Sequence, residues 1–516
     1  MRVLALLLTG VAGVGTLAVG EPQVVQRTTV PPPQRVDGQC RRAAALPALP
    51  REEERPTVQA RPGTSYEMAA PVAAIAAPPG IVAPPPPPPP PPAVASDTAD
   101  IAVTGSRVRG SARRESVAPP PTVVAPAPPP GGPTRGSAFA RRVPDQQQPV
   151  PAGLLTAGEH DDLLNPELYA RYVDAFLKEE PLAGVPRVDT ARVLTVAVRD
   201  TSGRAVPFAA VTLTCADGNT LTLPTLADGQ ATFLPELDRL GSGVTIGVPG
   251  AGSRRASLTG GNGGVTQTLT LTGAAPAVRQ LDLALVVDTT GSMNDELTYL
   301  QSELQAIVAR TRAAHPGLDL RVALIFYRDR GDEYVTRSFP FAADLARVQA
   351  GLAAQRSDGG GDTPEAVEVA MARAAALTWR DGAVKSLFLV ADAPPHADDV
   401  AATWAATEAL RARRVQIVPV AASGVERGAE YVMRAMAAAT QGRYLFLTDD
   451  SGIGNPHAPP AIDCYRVTRL ADAMARVIDS QLSGRRVEAL PGEVIRTVGT
   501  YDAGRCVLPS GWDRRQ

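Results

Sequence analysis

The stretch LDLALVVDTTGSMNDEL, residues 281–297, decides the fold. Its first seven residues form an apolar run interrupted only by Asp282, which is typical of a strand buried in a parallel sheet. The strand leads to Asp288, and the hydroxyl residues Thr290 and Ser292 follow at every second position before a helix begins. A carboxylate and two hydroxyls with this spacing can converge on one point. Such oxygen ligands suit Mg²⁺, Mn²⁺ or Ca²⁺ rather than Zn²⁺ or Cu⁺.

Length and composition indicate several domains of different character. The chain has 516 residues, which allows two to four domains. It holds 50 prolines, many of them before residue 152, and only 4% of its residues are aromatic. The averages therefore combine a proline-rich region with globular parts. The formal net charge of -2 gives no general case for binding nucleic acid or an anionic membrane.

Residues 1–20 have the pattern of a secretory signal peptide. Arg2 forms a short positive region, an apolar run follows, and Ala18-Val19-Gly20 is an acceptable cleavage site. The alternative is an uncleaved anchor, which would place the chain at a membrane, although its roughly 18 apolar residues are at the lower limit for a span. The pattern favours cleavage and predicts an exported protein.

Residues 21–152 have low complexity and include the proline run 84–92. This composition predicts a disordered region with extended proline segments. We favour a plain linker over a tether across the periplasm or cell wall, or a ligand for a proline-binding partner. The segment DIAVTGSRVR, residues 100–109, resembles the start of TonB-dependent outer-membrane receptors, which implies a Gram-negative envelope.

Two short segments precede the α/β part of the chain. Residues 153–190 predict a short helical segment that docks on the later part of the chain, with Asn165 at the N-cap and Pro166 in the first turn. Residues 191–273 show alternating runs between Gly and Asp turns, which predict a small antiparallel β-sandwich. The segments VRDTSGRAVPFAAVTL and ADGQATF resemble carboxypeptidase-regulatory-like domains, which implies a spacer or platform.

Strands and helices alternate over residues 280–484. Near-continuous apolar strands at 281–287, 320–327, 386–391, 415–420 and 443–447 predict a doubly wound α/β fold, with a mostly parallel sheet covered on both faces. Ligands of such folds bind beyond the carboxyl ends of the strands. Residues 485–516 are expected to form a tail that folds back onto the sandwich.

Three loops follow strand ends in this region: DTTGSM at 288–293, GGGDTPEA at 359–366 and VADAPPH at 390–396. Their order and placement resemble the von Willebrand factor A-type (VWA) domain and its metal-ion-dependent adhesion site. The segments 326–339 and 447–460 resemble those of bacterial secreted VWA proteins. The resemblance extends over residues 281–484, roughly two fifths of the chain.

The resemblance implies a set of metal ligands on these loops, for Mg²⁺ or else Mn²⁺ or Ca²⁺. The ligands would be Asp288, Thr290, Ser292, Thr363 and Asp392. Thr290 stands where the family usually has serine and keeps the hydroxyl. In the family the hydroxyls bind the metal directly and the acids bind partly through water. One metal position then remains for a carboxylate from a partner protein.

Each ligand also has an interpretation without metal. Asp288 could cap the following helix, Asp392 could shape a turn, and Thr363 could be the N-cap of a helix from residue 365, with Pro364 in its first turn. We favour one metal site over three independent caps at three strand ends of one sheet.

Other features of these loops carry less weight. His396 is interpreted as a loop histidine, because no Ser or Cys elbow accompanies it. The tripeptide 330–332, Arg-Gly-Asp, is assigned to a turn. The glycines at 359–361 lack the Lys and Ser or Thr of a phosphate loop, so we expect no nucleotide site.

The sequence thus predicts an exported, non-enzymatic binding protein whose metal captures a protein partner through an acidic residue. One alternative is a structural envelope scaffold in which the metal only rigidifies the loops. Another is a metal-assisted hydrolase, which is less favoured because no motif places a general base. Cys464 and Cys506 flank the last predicted helix, which favours a disulfide between them. Cys40 falls in the predicted disordered region and Cys215 in a strand, and no cysteine spacing indicates zinc.

Overall fold

The structure is a computed structural model that describes residue 40 and residues 153–508, except positions 181, 183, 259–263, 362 and 455. The predicted signal peptide at 1–20 and the TonB-receptor-like segment at 100–109 lie outside the described residues. The predicted linker at 21–152 also lies outside them, apart from Cys40.

The described residues form strands and helices in the following order. The strands are β1 (Thr156–His160), β2 (Leu194–Asp200), β3 (Ala210–Thr214), β4 (Thr220–Pro224), β5 (Gln230–Phe233), β6 (Gly243–Val248), β7 (Gly252–Ser257), β8 (Val265–Leu271), β9 (Gln280–Asp288), β10 (Asp319–Tyr327), β11 (Thr336–Ala342), β12 (Val384–Ala391), β13 (Gln416–Ala421), β14 (Tyr444–Leu447), β15 (Tyr465–Arg469), β16 (Arg496–Val498), β17 (Tyr501–Asp502) and β18 (Arg505–Cys506). The α-helices are α1 (Pro166–Glu179), α2 (Leu297–Ala314), α3 (Leu345–Ala353), α4 (Val367–Ala376), α5 (Val400–Ala412), α6 (Arg427–Thr440) and α7 (Leu470–Ser483). Short 3-10 helices span Gly291–Asp295, Ala397–Asp399, Asp449–Ser451 and Pro491–Glu493.

The main sheet has the strand order β11-β10-β9-β12-β13-β14-β1-β15-β16. Strands β10, β9, β12, β13 and β14 are parallel to their neighbours in this series, and β11 is an antiparallel edge strand. Alternate residues of β9 face opposite cores: Ala284 packs in the core with α4, α5 and α6, whereas Leu285 packs in the core with α2 and α7. The predicted doubly wound, mostly parallel α/β sheet is confirmed.

Strand β1 lies inside the main sheet and was missed by the sequence analysis. It pairs antiparallel with β14 on one side and with β15 on the other, so that Ala157 lies between Leu447 and Thr468. The backbone N–H groups of residues 153, 154 and 155 donate to Glu303 Oε1 of α2 at 2.8, 2.9 and 3.2 Å. A Cβ at Gly158 would clash with the ring of Phe446. The segment before α1 is therefore an integral part of the sheet.

Helix α1 begins where the sequence predicts, with Asn165 at the N-cap and Pro166 in the first turn. The Asn165 side chain does not cap this helix: its Nδ2 donates to the carbonyl oxygen of Gly504 at 2.8 Å and its Oδ1 accepts from the Cys506 N–H at 2.8 Å. The helix docks on α6, where the rings of Phe176 and Tyr431 stack with centroids 4.4 Å apart.

Arg434 of α6 joins this helix region to the loop after β1. Its side chain is 1% exposed. Its guanidinium donates to both carboxylate oxygens of Asp162, at 2.7 and 3.1 Å, and to Glu430 Oε1 at 3.0 Å. The guanidinium carbon also lies 3.9 Å from the ring centroid of Tyr172. The cation and two acids form a buried network in which each charge depends on the others.

The sandwich consists of a three-stranded sheet, β5-β2-β8, and a four-stranded sheet, β4-β3-β6-β7. Its strand pairs are antiparallel except β2 and β8, which run parallel. Cys40 is buried in its core and forms a disulfide with Cys215 of the segment after β3. The assignment of Cys40 to a disordered stretch is therefore wrong at this residue, because the disulfide fixes it to the sandwich.

The C-terminal tail does not follow the expectation that it folds onto the sandwich. Strand β16 instead pairs antiparallel with β15 at the edge of the main sheet, with Arg466 beside Thr497. The predicted disulfide between Cys464 and Cys506 is confirmed and fixes the β17–β18 hairpin to this edge. The tail joins the sheet because β15 offers unpaired backbone groups at this edge. Within the described residues, no helix combines the length and apolarity needed to cross a membrane.

Candidate metal site

The predicted ligands lie at the carboxyl edge of the main sheet. Strand β9 ends at Asp288, and β12 ends one residue before Asp392. Val287 pairs with Val390 in the parallel register of these strands, so both acids follow at the same edge. Parallel α/β sheets place their ligand sites in this crevice.

Asp288 organises the first loop and is fully buried. Its Oδ1 accepts hydrogen bonds from the backbone N–H of Thr290 at 2.9 Å and from the Thr290 hydroxyl at 2.7 Å. The Thr290 hydroxyl also lies 3.2 Å from the Ser292 hydroxyl. The second oxygen, Oδ2, is buried and accepts no hydrogen bond of normal geometry from the described residues, although the hydroxyl of the buried Tyr327 lies close enough to act on the pKa of this carboxyl group. Asp288 therefore fixes its own loop rather than capping α2.

Negative charge is concentrated around this oxygen. Burial, together with the negative charge of Asp392, raises the pKa of Asp288 to about 7. The buried Glu365 lies in the same field: burial and the charges of Asp288, Asp329 and Asp332 raise its pKa to about 9. Like charges that share a buried site oppose one another's ionisation, and a cation bound there would relieve both effects.

The glycine run at 359–361 packs against the first loop. The N–H of Gly291 donates to the carbonyl oxygen of Gly359 at 3.0 Å, and Gly360 has a φ of +67°. A Cβ at Gly360 would stand 2.8 Å from Glu365 Oε1 and 3.0 Å from Thr290 Cβ. These glycines therefore permit close approach of two backbone segments at a positive φ.

Thr363 is not the N-cap of the following helix. It is exposed in a bend, and α4 begins at Val367 with Ala366 at its N-cap. The expected N-cap at Thr363 is wrong because Glu365 is held in an extended pairing, with its N–H donating to the carbonyl oxygen of Pro394 at 3.0 Å. The role of Thr363 as a metal ligand stays a prediction.

Three acids near the site were missed by the sequence analysis: Asp329, Asp332 and Glu365. The carboxylate Oδ2 of Asp332 accepts from the N–H of Asp329 at 3.1 Å and from that of Gly360 at 2.9 Å. His396 Nε2 lies 2.6 Å from Asp329 Oδ1, which ties the third loop to the segment after β10. The acid directly after Thr-Pro in GGGDTPEA was the available signal for Glu365. Among the described residues, no three His, Cys, Asp or Glu side chains form a metal-binding group.

Comparison with known proteins identifies the region that carries these loops. Residues 282–454 match the family described as von Willebrand factor A domain. This part of the chain is a VWA domain. The match begins after β1 and ends before β15, α7 and β16. The strands β1, β15 and β16, which lie outside the match, therefore complete the main sheet.

Two curated proteins match part of this chain. An ariadne-like RING finger protein of Acanthamoeba polyphaga mimivirus is 35% identical over 118 residues, which is 22% of this chain and 11% of that protein. An alpha-protein kinase of Dictyostelium discoideum is 29% identical over 118 residues, which is 22% of this chain and 19% of the kinase. The chain thus spans less than a fifth of the length of either relative. The solved structure of a conserved protein, BatB, from Bacteroides thetaiotaomicron has 13% sequence identity and a TM-score of 0.26, over 39% of this chain and 98% of that one.

A histidine bridge lies beside the first loop of the VWA domain. His457 Nε2 is 2.8 Å from Oε1 of Glu296, a buried acid at the start of α2. His457 Nδ1 is 2.8 Å from Asp449 Oδ1, and the N–H of Ser423 donates to Glu296 Oε2 at 3.3 Å. The loop after β14 is thereby held against the strand-to-helix turn that carries the candidate metal ligands.

The histidine bridge predicts a pH-dependent attachment of this loop. Burial lowers the pKa of His457, but the hydrogen bonds that its ring donates to Glu296 and Asp449, together with the charges of these acids, outweigh burial and raise the pKa above 6.5. The bridge therefore stabilises the fold fully below pH 6.5, and this contribution is lost as pH rises through the pKa of the folded state. We expect the melting-temperature difference between wild type and His457→Gln to shrink from pH 6 to pH 9. A difference that stays constant over this range would contradict the bridge.

Proposed function

We propose that the VWA domain binds a divalent cation, Mg²⁺ or else Mn²⁺ or Ca²⁺, through Asp288, Thr290, Ser292, Thr363 and Asp392. The observation that carries the proposal is the buried carboxyl group of Asp288, whose Oδ2 has no hydrogen bond of normal geometry and whose pKa is raised by burial and by the charge of Asp392. A buried carboxylate in this state is strongly disfavoured unless it is protonated or meets a cation.

The cation would serve capture of a protein partner rather than catalysis. Two carboxylates and three neutral hydroxyls leave a divalent ion short of the oxygen ligands it prefers, so an acidic side chain of a partner can complete the shell. When bound, the cation supplies a charged coordination position at the protein surface. The chain's own residues hold and orient it: the Thr290 hydroxyl and N–H fix one oxygen of Asp288 and leave the other facing the site.

Export of the chain supports an extracytoplasmic role. Its two disulfides, Cys40–Cys215 and Cys464–Cys506, are of a kind that persists in oxidising compartments such as the periplasm or the exterior. Together with the signal-like residues 1–20 and the TonB-receptor-like segment at 100–109, they favour the envelope or exterior of a Gram-negative bacterium. The proline-rich region would then connect the VWA domain and sandwich to their point of attachment.

Metal titration of the full chain tests the site. Mg²⁺ and Mn²⁺ are expected to raise the unfolding free energy of wild type by about 2.7 kcal/mol at a hundredfold excess over the dissociation constant. Asp288→Asn should abolish this stabilisation. Asp319→Asn, at the opposite end of the sheet, should keep it, because Asp319 is exposed at the amino end of β10. The metal proposal fails if wild type and Asp288→Asn respond alike.

The variant Thr363→Ala tests whether Thr363 belongs to the ligand set. If the exposed Thr363 contacts the ion, this variant should weaken metal binding about tenfold, which corresponds to about 1.4 kcal/mol, while the metal-free melting temperature is unchanged. An unaltered metal affinity would remove Thr363 from the site and leave the other four ligands.

Partner capture distinguishes adhesion from a scaffold role. Wild-type chain, immobilised with Mg²⁺, should retain an envelope partner that is released by chelator and is not retained by Asp288→Asn. If capture is unaffected by chelator, the metal only rigidifies the loops, and the scaffold function is the better account.

A further inference from the structure

Residues 328–334, RDRGDEY, lie between β10 and β11 and are called the β10–β11 segment below. The segment carries none of the candidate metal ligands. Its side chains nevertheless contact all three loops on which those ligands lie, namely the first loop at 288–293, the second loop at 359–366 and the third loop at 390–396. These contacts are described loop by loop, because together they indicate a role for the segment in the metal site.

In the first loop, the contacts converge on Thr289, which lies between the first two candidate ligands and is fully buried. Its N–H and its hydroxyl both donate to the carbonyl oxygen of Tyr327, the last residue of β10, at 2.9 Å. Its hydroxyl also lies 2.8 Å from the hydroxyl of Tyr334. Its carbonyl oxygen accepts from Arg328 Nε at 3.1 Å. Every polar group of Thr289 is therefore held, and the ligands on either side of it are held with it.

Arg328 also ties the first loop to the chain that leads into the second loop. Its side chain is buried, and its Nη2 donates to the carbonyl oxygen of Arg356 at 2.7 Å. The N–H of Asp358 donates to the same Thr289 carbonyl oxygen at 3.1 Å. The guanidinium carbon lies 4.6 Å from the ring centroid of Tyr334, which fixes the plane of the fork. One guanidinium thus holds two backbone segments together, as its rigid set of donors allows.

Two acids of the segment contact the second and third loops. Asp332 Oδ2 accepts from the N–H of Gly360 in the second loop at 2.9 Å. Asp329 Oδ1 lies 2.6 Å from His396 Nε2 in the third loop. Each of the three loops is therefore bonded to the β10–β11 segment by at least one side chain.

The tripeptide Arg330-Gly331-Asp332 forms the turn of this segment. Gly331 is exposed and has a φ of +91°, as the predicted turn requires. Arg330 Nη2 donates to Glu368 Oε1 at 2.5 Å and to Asp399 Oδ2 at 2.6 Å. Glu368 is in the first turn of α4, which follows the second loop, and Asp399 follows the third loop. Both charged side chains of the tripeptide are thus engaged within the domain.

We propose that the β10–β11 segment is a fourth element of the candidate metal site, which positions the three ligand loops relative to one another without contacting the ion. This inference rests on the metal site proposed above. Groups that orient metal ligands through hydrogen bonds commonly change metal affinity about 10–100-fold when they are removed. Arg328 is the principal positioning residue, because it bonds to the first loop and to the chain before the second loop.

The charge of Arg328 gives the prediction a sign that charge alone would reverse. A cation beside a metal site repels the metal, so loss of the charge by itself would strengthen metal binding. Loss of positioning acts in the opposite direction. Arg328→Met is therefore expected to weaken Mn²⁺ binding at least about tenfold.

Arg337→Met is the matched control. Arg337 carries the same charge and also stacks on Tyr334, with its guanidinium carbon 4.1 Å from the ring centroid. Its Nη1 donates to Gln355 Oε1 at 3.1 Å, which is outside the three ligand loops. The control variant should bind Mn²⁺ as tightly as wild type or more tightly. Arg328→Lys keeps the charge but not the fork, and it should bind more weakly than wild type and more tightly than Arg328→Met.

Titration of the full chain with Mn²⁺, followed by the electron paramagnetic resonance signal of the free ion, measures these affinities. Unchanged or tighter binding by Arg328→Met and Arg328→Lys, with wild type binding Mn²⁺, would overturn the positioning role alone. A wild-type chain that binds no Mn²⁺ would overturn the metal site and, with it, the role of the segment. The two failures are therefore distinguishable.

A variant at the opposite end of the sheet separates positioning from general destabilisation. Arg380 Nε donates to the buried Asp282 Oδ1 at 2.9 Å, so Arg380→Met should lower the melting temperature and leave the Mn²⁺ affinity unchanged. In chelator, hydrogen exchange of a peptide that contains residues 288–293 should be faster in Arg328→Met than in wild type, Arg337→Met or Arg380→Met. If Arg380→Met weakens Mn²⁺ binding as much as Arg328→Met does, affinity follows overall stability and the positioning role is wrong.

Discussion

A fragment of residues 280–484, the bounds that strand and helix alternation predict for the VWA domain, is expected to aggregate, whereas the full chain folds. The reason is the position of β1 between β14 and β15. Without β1, each of these strands presents a row of unpaired N–H and C=O groups in the interior of the sheet. Soluble yield, size-exclusion chromatography and cooperative thermal melting measure the outcome.

The fragment also loses contacts outside the sheet. Glu303, a buried acid of α2, would lack the three backbone donors that now bind its Oε1. Helix α1 would no longer cover α6. A monomeric fragment 280–484 that melts cooperatively, within a few degrees of the full chain, would show that β1 is dispensable. Partner and metal experiments are accordingly designed on the full chain.

Arg434→Met is expected to lower the unfolding free energy by about 3–5 kcal/mol, the range for breaking a buried ion pair from one side. Burial acts to raise the pKa of Asp162, but the charge and hydrogen bonds of Arg434, together with the hydrogen bond and charge of His160, lower that pKa to about 2. Removal of the guanidinium would leave Asp162 and Glu430 buried and uncompensated. Urea denaturation at pH 7 measures the loss.

The matched control for this variant is Arg427→Met on the same helix. Arg427 is exposed and forms its ion pair with Glu179 at 2.7 Å in solvent, so its loss should cost less than about 1 kcal/mol. Adding Asp162→Leu and Glu430→Gln to Arg434→Met should recover part of the stability, because the uncompensated acids are removed together. Equal effects of Arg427→Met and Arg434→Met would contradict the buried-network interpretation.

The parallel part of the sheet was predictable because its strands are long, apolar and separated by amphipathic helices. Strand β1 was not, since its sequence TAGEH has neither an apolar run nor alternation and every residue of it is buried by tertiary pairing. Strand β15, YRVTR, is short and continues directly into α7, so no turn signal separates the strand from the helix. Both β1 and β15 form because they pair with strands hundreds of residues away in the chain.

The candidate site also has a part that was predictable from the sequence and a part that was not. The geometry of Asp288, Thr290 and Ser292 is local and follows from their spacing along one turn. The N-cap interpretation of Thr363 rested on a local capping pattern, and the pairing of Glu365 with Pro395 overrides that pattern. The convergence of Glu365 and Asp332 on the first loop depends on three separate loops meeting. Single-sequence patterns carry no such information.

The position of β1 has a consequence for the order of folding. Thr156 and Thr448, whose hydroxyls are 2.9 Å apart, are separated by 292 positions in the chain. Pairing over such a separation carries a large loop-closure entropy and is slow. During synthesis, the first strand of the sheet must wait for β14 and β15 to emerge, with its edges open to wrong partners. The sheet therefore closes only after the chain has been made through β15.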